Sequence, residues 1–155
     1  MAYKLFVNGD TLPASDLNNA FGTSGWTAFT PTLASGTFTP GTGGTLTGYY
    51  MQIGKTVWFR INGVLGGTGR SVSDPNFNVP VTASANVTDY AIIGQAFNRA
   101  TGVHYMGAIR FLSGSFRPLM SAGGAGGSLS ALSGTTPAPI ASGDYYSFIG
   151  TYEAA

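Results

Sequence analysis

The side chains able to do covalent or metal chemistry are few. The chain of 155 residues has one histidine, His104, no cysteine, and six acids, Asp10, Asp16, Asp74, Asp89, Asp144 and Glu153. Nucleophilic catalysis needs a base held within hydrogen-bond reach of the nucleophile, and His104, in an apparent strand beside Tyr105, shows no such partner. A zinc site needs several nitrogen or sulfur ligands, which one imidazole without thiolates does not supply. The acids stand singly, several of them in turn-like contexts where Asp is favoured for backbone reasons, so the paired carboxylates of glycoside hydrolysis are not evident. The glycine runs at 41–44 and 66–69 lack the spacing, the lysine and the following helix of a phosphate loop. The expectation is a protein that is not an enzyme and that needs no cofactor and no metal.

Binding chemistry is better represented. Aromatic rings stack on the C–H faces of sugars while amides, carboxylates and guanidinium groups take the hydroxyls. Tyr90, Asn98, Arg99, His104 and Tyr105, around one hairpin, are the candidate ligand residues, with Phe116 and Arg117 as a further pair. Each of them also fits a plain role in the fold or an interface. Trp58 with Arg60 is the one hint of single-stranded nucleic-acid binding, which pairs aromatics with a basic groove. Charged residues make up only 8% of the chain and the formal net charge is +1, so no basic field exists to grip nucleic acid. Neutral polar residues, or surface buried in an assembly, must then keep such a chain in solution. Asn86-Val87-Thr88 is a formal glycosylation sequon, without meaning if the protein is made in bacteria. No run of about 18 apolar residues suggests a membrane span. The N-terminus lacks the basic-then-apolar pattern of a secretory signal, so synthesis in a cytoplasm is expected.

Those side chains must be positioned by strands. Glycine is abundant, at 24 residues, and aromatics reach 13%. With Thr and Val, they favour short strands joined by tight turns over helices. Roughly eight strands are expected. They fall at 26–33, at 45–53 and 56–65 around Gly54-Lys55, at 77–81, at 91–97 and 103–112 across a turn at 98–102, at 115–120, and at 144–152. The expected architecture is an all-β antiparallel sandwich, jelly-roll-like, over 25–155. Residues 36–44 and 121–134 read as loops. Residues 1–24 read differently, with an apolar run Leu5-Phe6-Val7, a turn at Asn8-Gly9-Asp10 and one or two helical turns over 13–22. This segment, with Leu12 and Leu17, is either a strand lying on the domain or an anchor that docks into another protein.

Gly54-Lys55 is the sharpest local signal, because glycine at the first central position suits a two-residue type II′ turn. The register then pairs Ile53 with Thr56, Gln52 with Val57, Met51 with Trp58, Tyr50 with Phe59 and Tyr49 with Arg60. One face carries Leu46, Tyr50, Val57, Phe59 and Ile61, a core face. The other carries Tyr49, Met51, Ile53, Trp58 and Arg60, too apolar to be left in water. It is covered either by the chain's own loops or by another subunit, which makes Tyr49, Met51, Ile53 and Trp58 the candidate interface.

The same residues carry a resemblance. Trp26-Thr27-Ala28-Phe29-Thr30-Pro31, then Gly44-Thr45-Leu46-Thr47-Gly48-Tyr49-Tyr50, then Ile53-Gly54-Lys55-Thr56-Val57, then Val79-Pro80-Val81-Thr82-Ala83 stand in that order. The series resembles the distal domain of bacteriophage minor tail and tail-fibre proteins over about 26–83, and more loosely at Ile92-Ile93-Gly94 and 145–152. Phe6-Val7-Asn8-Gly9-Asp10 with Leu12, Ala14 and Asp16-Leu17-Asn18 is similar to segments that begin such proteins. The resemblance implies a homotrimeric virion protein that joins other virion proteins through residues 1–24 and contacts a host-surface polysaccharide. The long shaft of many relatives is missing, which favours a short fibre or tail tip. A purely structural capsid fibre, decoration or tail accessory protein, and a free carbohydrate-binding module, are the alternative readings.

Overall fold

A computed structural model describes residues 25–100, 102–121 and 128–155. The described residues form ten strands: β1 (Thr27–Phe29), β2 (Leu33–Thr39), β3 (Thr45–Ile53), β4 (Thr56–Val64), β5 (Ser71–Asn78), β6 (Ile92–Ala100), β7 (Val103–Leu112), β8 (Ser115–Ser121), β9 (Leu129–Ala131) and β10 (Tyr145–Glu153). No helix occurs among the described residues. Every strand pair is antiparallel. The all-β antiparallel expectation therefore holds.

The strands do not divide into two separate sheets, as the sandwich expectation required. They follow one hydrogen-bonded path, β1-β3-β4-β10-β6-β7-β8-β5-β2, with β9 added on β8. The ladder continues around the corner because β5 meets β8 through Phe77–Phe116 and Asn78–Ser115. The sheet curls on itself as a half-barrel, and its concave face is the core. Phe77 on β5 packs 5.5 Å from Phe116 on β8 and 5.5 Å from Phe148 on β10, and Phe38 on β2 lies 5.5 Å from Tyr146 on β10. Strands far apart along the path thus meet through rings, an arrangement that favours edge-on and offset geometries.

The composition follows from this packing. At Gly48, Gly63 and Gly150, in the central strands, a Cβ atom would fall within 2.7 Å of the rings of Phe29, Phe38 and Phe59 respectively. Each missing side chain leaves the room a neighbouring aromatic fills. The glycine runs 41–44 and 66–69 lace together through their backbones. Gly66 N–H donates to Pro40 O at 2.8 Å, Gly67 N–H to Thr42 O at 2.8 Å, and Arg70 to Gly67 O at 2.8 Å. A close-packed structural loop pair is what those glycines make.

The central hairpin has the expected register at every pair from Ile53–Thr56 to Tyr49–Arg60. Gly54 holds φ +58° while Lys55 is not among the positive-φ residues, which is the type II′ pattern. Val57, Phe59 and Ile61 are buried, with Leu46 and Tyr50 packed against them. Two strands on this side differ from the expectation: β2 replaces part of the expected 36–44 loop, and β5 covers 71–78 where a strand over 77–81 was expected. β6 runs on to Ala100, which pairs with Val103 on β7, so residues 98–100 belong to the strand and not to the expected turn over 98–102. A short strand, β9, lies within the expected 121–134 loop.

Strand directions give the molecule two ends. Gly54-Lys55, the β7–β8 turn at Ser113-Gly114, the 79–91 connection and the C-terminus share one end. The loops 40–44 and 65–70, the β6–β7 turn and residues 141–144 share the other. Thr27 pairs with Tyr50 and Phe29 with Gly48, so the chain enters the sheet from the Gly54 end. That is the near end and its opposite the far end. Tyr152 closes the near end: its hydroxyl donates to Val81 O at 2.7 Å and accepts from Val81 N–H at 3.0 Å.

Candidate functional site

The convex face of the sheet gathers the four candidate interface residues. Met51 stands opposite Trp58, whose other neighbour is Thr151. Tyr49, Arg60, Ile149, Gln95 and Ala108 form the next row across β3, β4, β10, β6 and β7, and Phe97 with Met106 belongs to the row beyond. Tyr49, Met51, Ile53 and Trp58 are all half-buried. Ile149 and Met106, which the hairpin alone did not reveal, are 54% and 55% exposed. Their signal was present as alternation, Tyr146, Phe148 and Tyr152 against Ile149, but it needed the register of β10 between β4 and β6 to place it.

Arg60 is the charged residue of the central row, and aromatics mask it; Glu153 and Arg99 stand on the same face in outer rows. Its guanidinium lies 4.9 Å from the centroid of Trp26 and 5.0 Å from that of Tyr49. Such cation–π contacts contribute about 0.5–1 kcal/mol at exposed sites. Its Nε is buried without a partner among the described residues. The Trp58–Arg60 pair is thereby divided: Arg60 is engaged by Trp26 and Tyr49, with Trp58 one row away.

The candidate ligand residues do not form one site. Asn98 is 0% exposed, and its side chain donates to Tyr145 O at 3.3 Å in the core. Tyr105 packs against the core from the same face. Phe116 is buried between Phe59 and Phe77, and Arg117 makes an ion pair with Asp74 through both carboxylate oxygens. Only Tyr90, Arg99 and His104 are exposed, and they stand at opposite ends. Strand β6 separates Tyr90 from Arg99 by about 25 Å at the usual rise per residue.

At the near end, Tyr90 is 67% exposed with φ +69°, and its ring covers the Arg110 guanidinium at 4.9 Å. A non-glycine residue in that backbone region is uncommon. Tyr90 borders an open cleft of about 700 Å³ whose lining includes Asn78, Thr82, Ser84, Asp89, Phe111 and Ser113. Asp89 Oδ1 accepts the Ser113 N–H, which fixes the turn that forms one wall.

At the far end, Arg99 pairs across the ladder with Tyr145 on one side and His104 on the other. Phe97 lies 5.5 Å edge-on from His104 and 6.3 Å from Tyr145. The Tyr145 hydroxyl donates to Asn62 Oδ1 at 2.9 Å. Beside Arg99 is a depression of about 250 Å³ formed with Gly102 and residues 141–144. Asp144 in its wall is 2% exposed and accepts the Ala141 N–H at 2.7 Å. No group of three or more His, Cys, Asp or Glu that could hold a metal occurs among the described residues. No helix there is long and apolar enough to cross a membrane. The candidate anchor residues Leu5, Phe6, Val7, Leu12 and Leu17 lie outside the described residues. Comparison of the chain with protein-family models, with curated proteins and with solved structures finds no match.

Proposed function

We propose that this chain is a virion protein of a bacteriophage. In this reading it is a homotrimeric short tail fibre or tail-tip component that joins the particle through residues 1–24 and presents its β-domain to the host surface. The observation that carries the reading is the convex face. Trp58, Met51, Ile149 and Met106 lie on adjacent rows across β4, β3, β10 and β7, and Arg60, in the central row, is masked by Trp26 and Tyr49. Contiguous exposed apolar surface on a soluble domain marks a surface that another protein covers. Copies of the same chain supply such cover by closed symmetry, and a chain with 8% charge gains solubility by burying it. The near end, where the chain enters the sheet, is then the particle side, and the far end faces outward.

The test is a pair of charges placed on that face. Ile149→Lys with Met106→Lys changes two exposed side chains and leaves the concave core untouched. The expected result is a folded monomer by near-ultraviolet circular dichroism and light scattering, against an oligomer for the unaltered chain. A variant that assembles like its parent removes the convex face from the interface.

A further inference from the structure

The far end of the convex face has a feature that neither the sheet nor an apolar interface accounts for. Arg99 is exposed, sits between Tyr145 and His104 on the ladder, and has no carboxylate partner among the described residues. The acid beside it, Asp144, is buried and bonded to the backbone of Ala141. The ring of Tyr145 is held by its hydrogen bond to Asn62, and Phe97 bridges Tyr145 and His104 by ring contacts. A guanidinium without a hydrogen-bond or ion-pair partner among the described residues, framed by three rings and opening on a small depression, combines two recognition elements. Its planar fork takes an oxyanion in bidentate fashion. The rings supply the apolar surface that a sugar's C–H face stacks on.

We infer that Arg99, His104, Tyr145 and Phe97 form a binding site for an acidic sugar. Arg99 would hold the negative group, a carboxylate or a phosphate ester, and the depression lined by Gly102 and Ser142 would take the ring. The inference rests on the host-facing part of the function proposed above, because the site lies at the end opposite the point where the chain enters the sheet. The hydroxyl-lined cleft near Tyr90 lies at the other end and contains no exposed cation in its lining, so charge separates the two as ligand sites.

The experiment is a titration of the full chain, observed by backbone amide NMR shifts, with glucuronate, glucose 1-phosphate and glucose. Saturable shifts at Arg99, Gly102, His104 and Tyr145 with one or both acidic sugars, and none with glucose, are expected. Comparison of the first two ligands identifies the anion. Arg99→Ala should weaken binding roughly 10- to 100-fold, the usual value of a charge-assisted hydrogen-bond pair, while Arg99→Lys retains part of it. Arg110→Ala, at the near end, should change nothing. If Arg99→Ala does not fold, Arg99→Gln serves with the same expectation. Glucose binding as well as the acids, shifts confined to the Tyr90 cleft, or an equal loss in Arg110→Ala overturns the site. So does the absence of saturable shifts with all three ligands. None of these outcomes bears on the oligomer, which is measured separately by mass.

Discussion

Tyr152 shows how one hydroxyl can close an end of the molecule. It both donates to and accepts from Val81, and so fastens the 79–91 connection to the central strand β10. Tyr152→Phe leaves Val81 N–H and C=O without that partner and should cost about 1–3 kcal/mol, read as a lowered urea midpoint. Burial pushes the Tyr152 phenol up to about 12 from the ordinary 10.0, and the nearby Tyr50 adds to this, although the Val81 hydrogen bond acts in the opposite sense. Burial and the charge of Asp144 also raise Tyr146. A raised phenol pKa stabilises the fold fully below pH 10 and loses that contribution as pH rises toward 12. The urea midpoint should therefore fall steeply over that window, and less steeply in Tyr152→Phe. At this scale the sequence was a partial guide. Phe59 and Ile61 were legible as core by alternation, whereas Asn98, Tyr105 and Phe116 look like surface binders in sequence and point inward. For Asn98 and Tyr105 the direction follows from β6 running three residues past its expected end at 97, which sets Asn98 in the row with Tyr105, Tyr146 and Gly63; Phe116 turns inward where β8 meets β5.

Elements show the same division. The hairpin at Gly54 was legible to single-residue precision because two independent signals agreed, strict alternation on both sides and glycine where positive φ is needed. Gly54→Ala should cost about 1–2 kcal/mol through that backbone strain. Gly94 is a different kind of glycine. A Cβ there would come within 2.1 Å of Ile149 O, a backbone atom that cannot turn aside, so Gly94→Ala should cost about 3 kcal/mol. Thermal melts of the two variants check the order, Gly94→Ala being the less stable. Strands β2 and β5 were illegible for a physical reason. Both carry turn-forming residues, Gly36 on one and Asp74-Pro75 on the other. Asp74 adopts φ +45° at an irregularity that Gly36 accommodates by lacking a Cβ. A bulge of this kind hides a strand inside a loop-like composition. The core still needed both strands, because Phe38 and Phe77 fill the concave face from that side.

For the whole molecule, the antiparallel all-β class was legible from composition, but the single curled path was not. Two residue pairs at the β5–β8 corner distinguish it from a sandwich, and no short motif announces them. The separation of ends has a consequence that can be measured. Removal of residues 1–24 should leave a folded, assembled domain that no longer joins particles, since all ten described strands lie at Thr27 and beyond. Incorporation into particles assembled without the natural protein is the readout, and normal incorporation would separate that segment from anchoring. The central claim is assembly through the convex face, and sedimentation equilibrium of the full chain tests it most directly. The account predicts a species of three times the 15.9 kDa chain mass at micromolar concentration. A monomer across the accessible range, with Trp58, Ile149 and Met106 left in water, would contradict it.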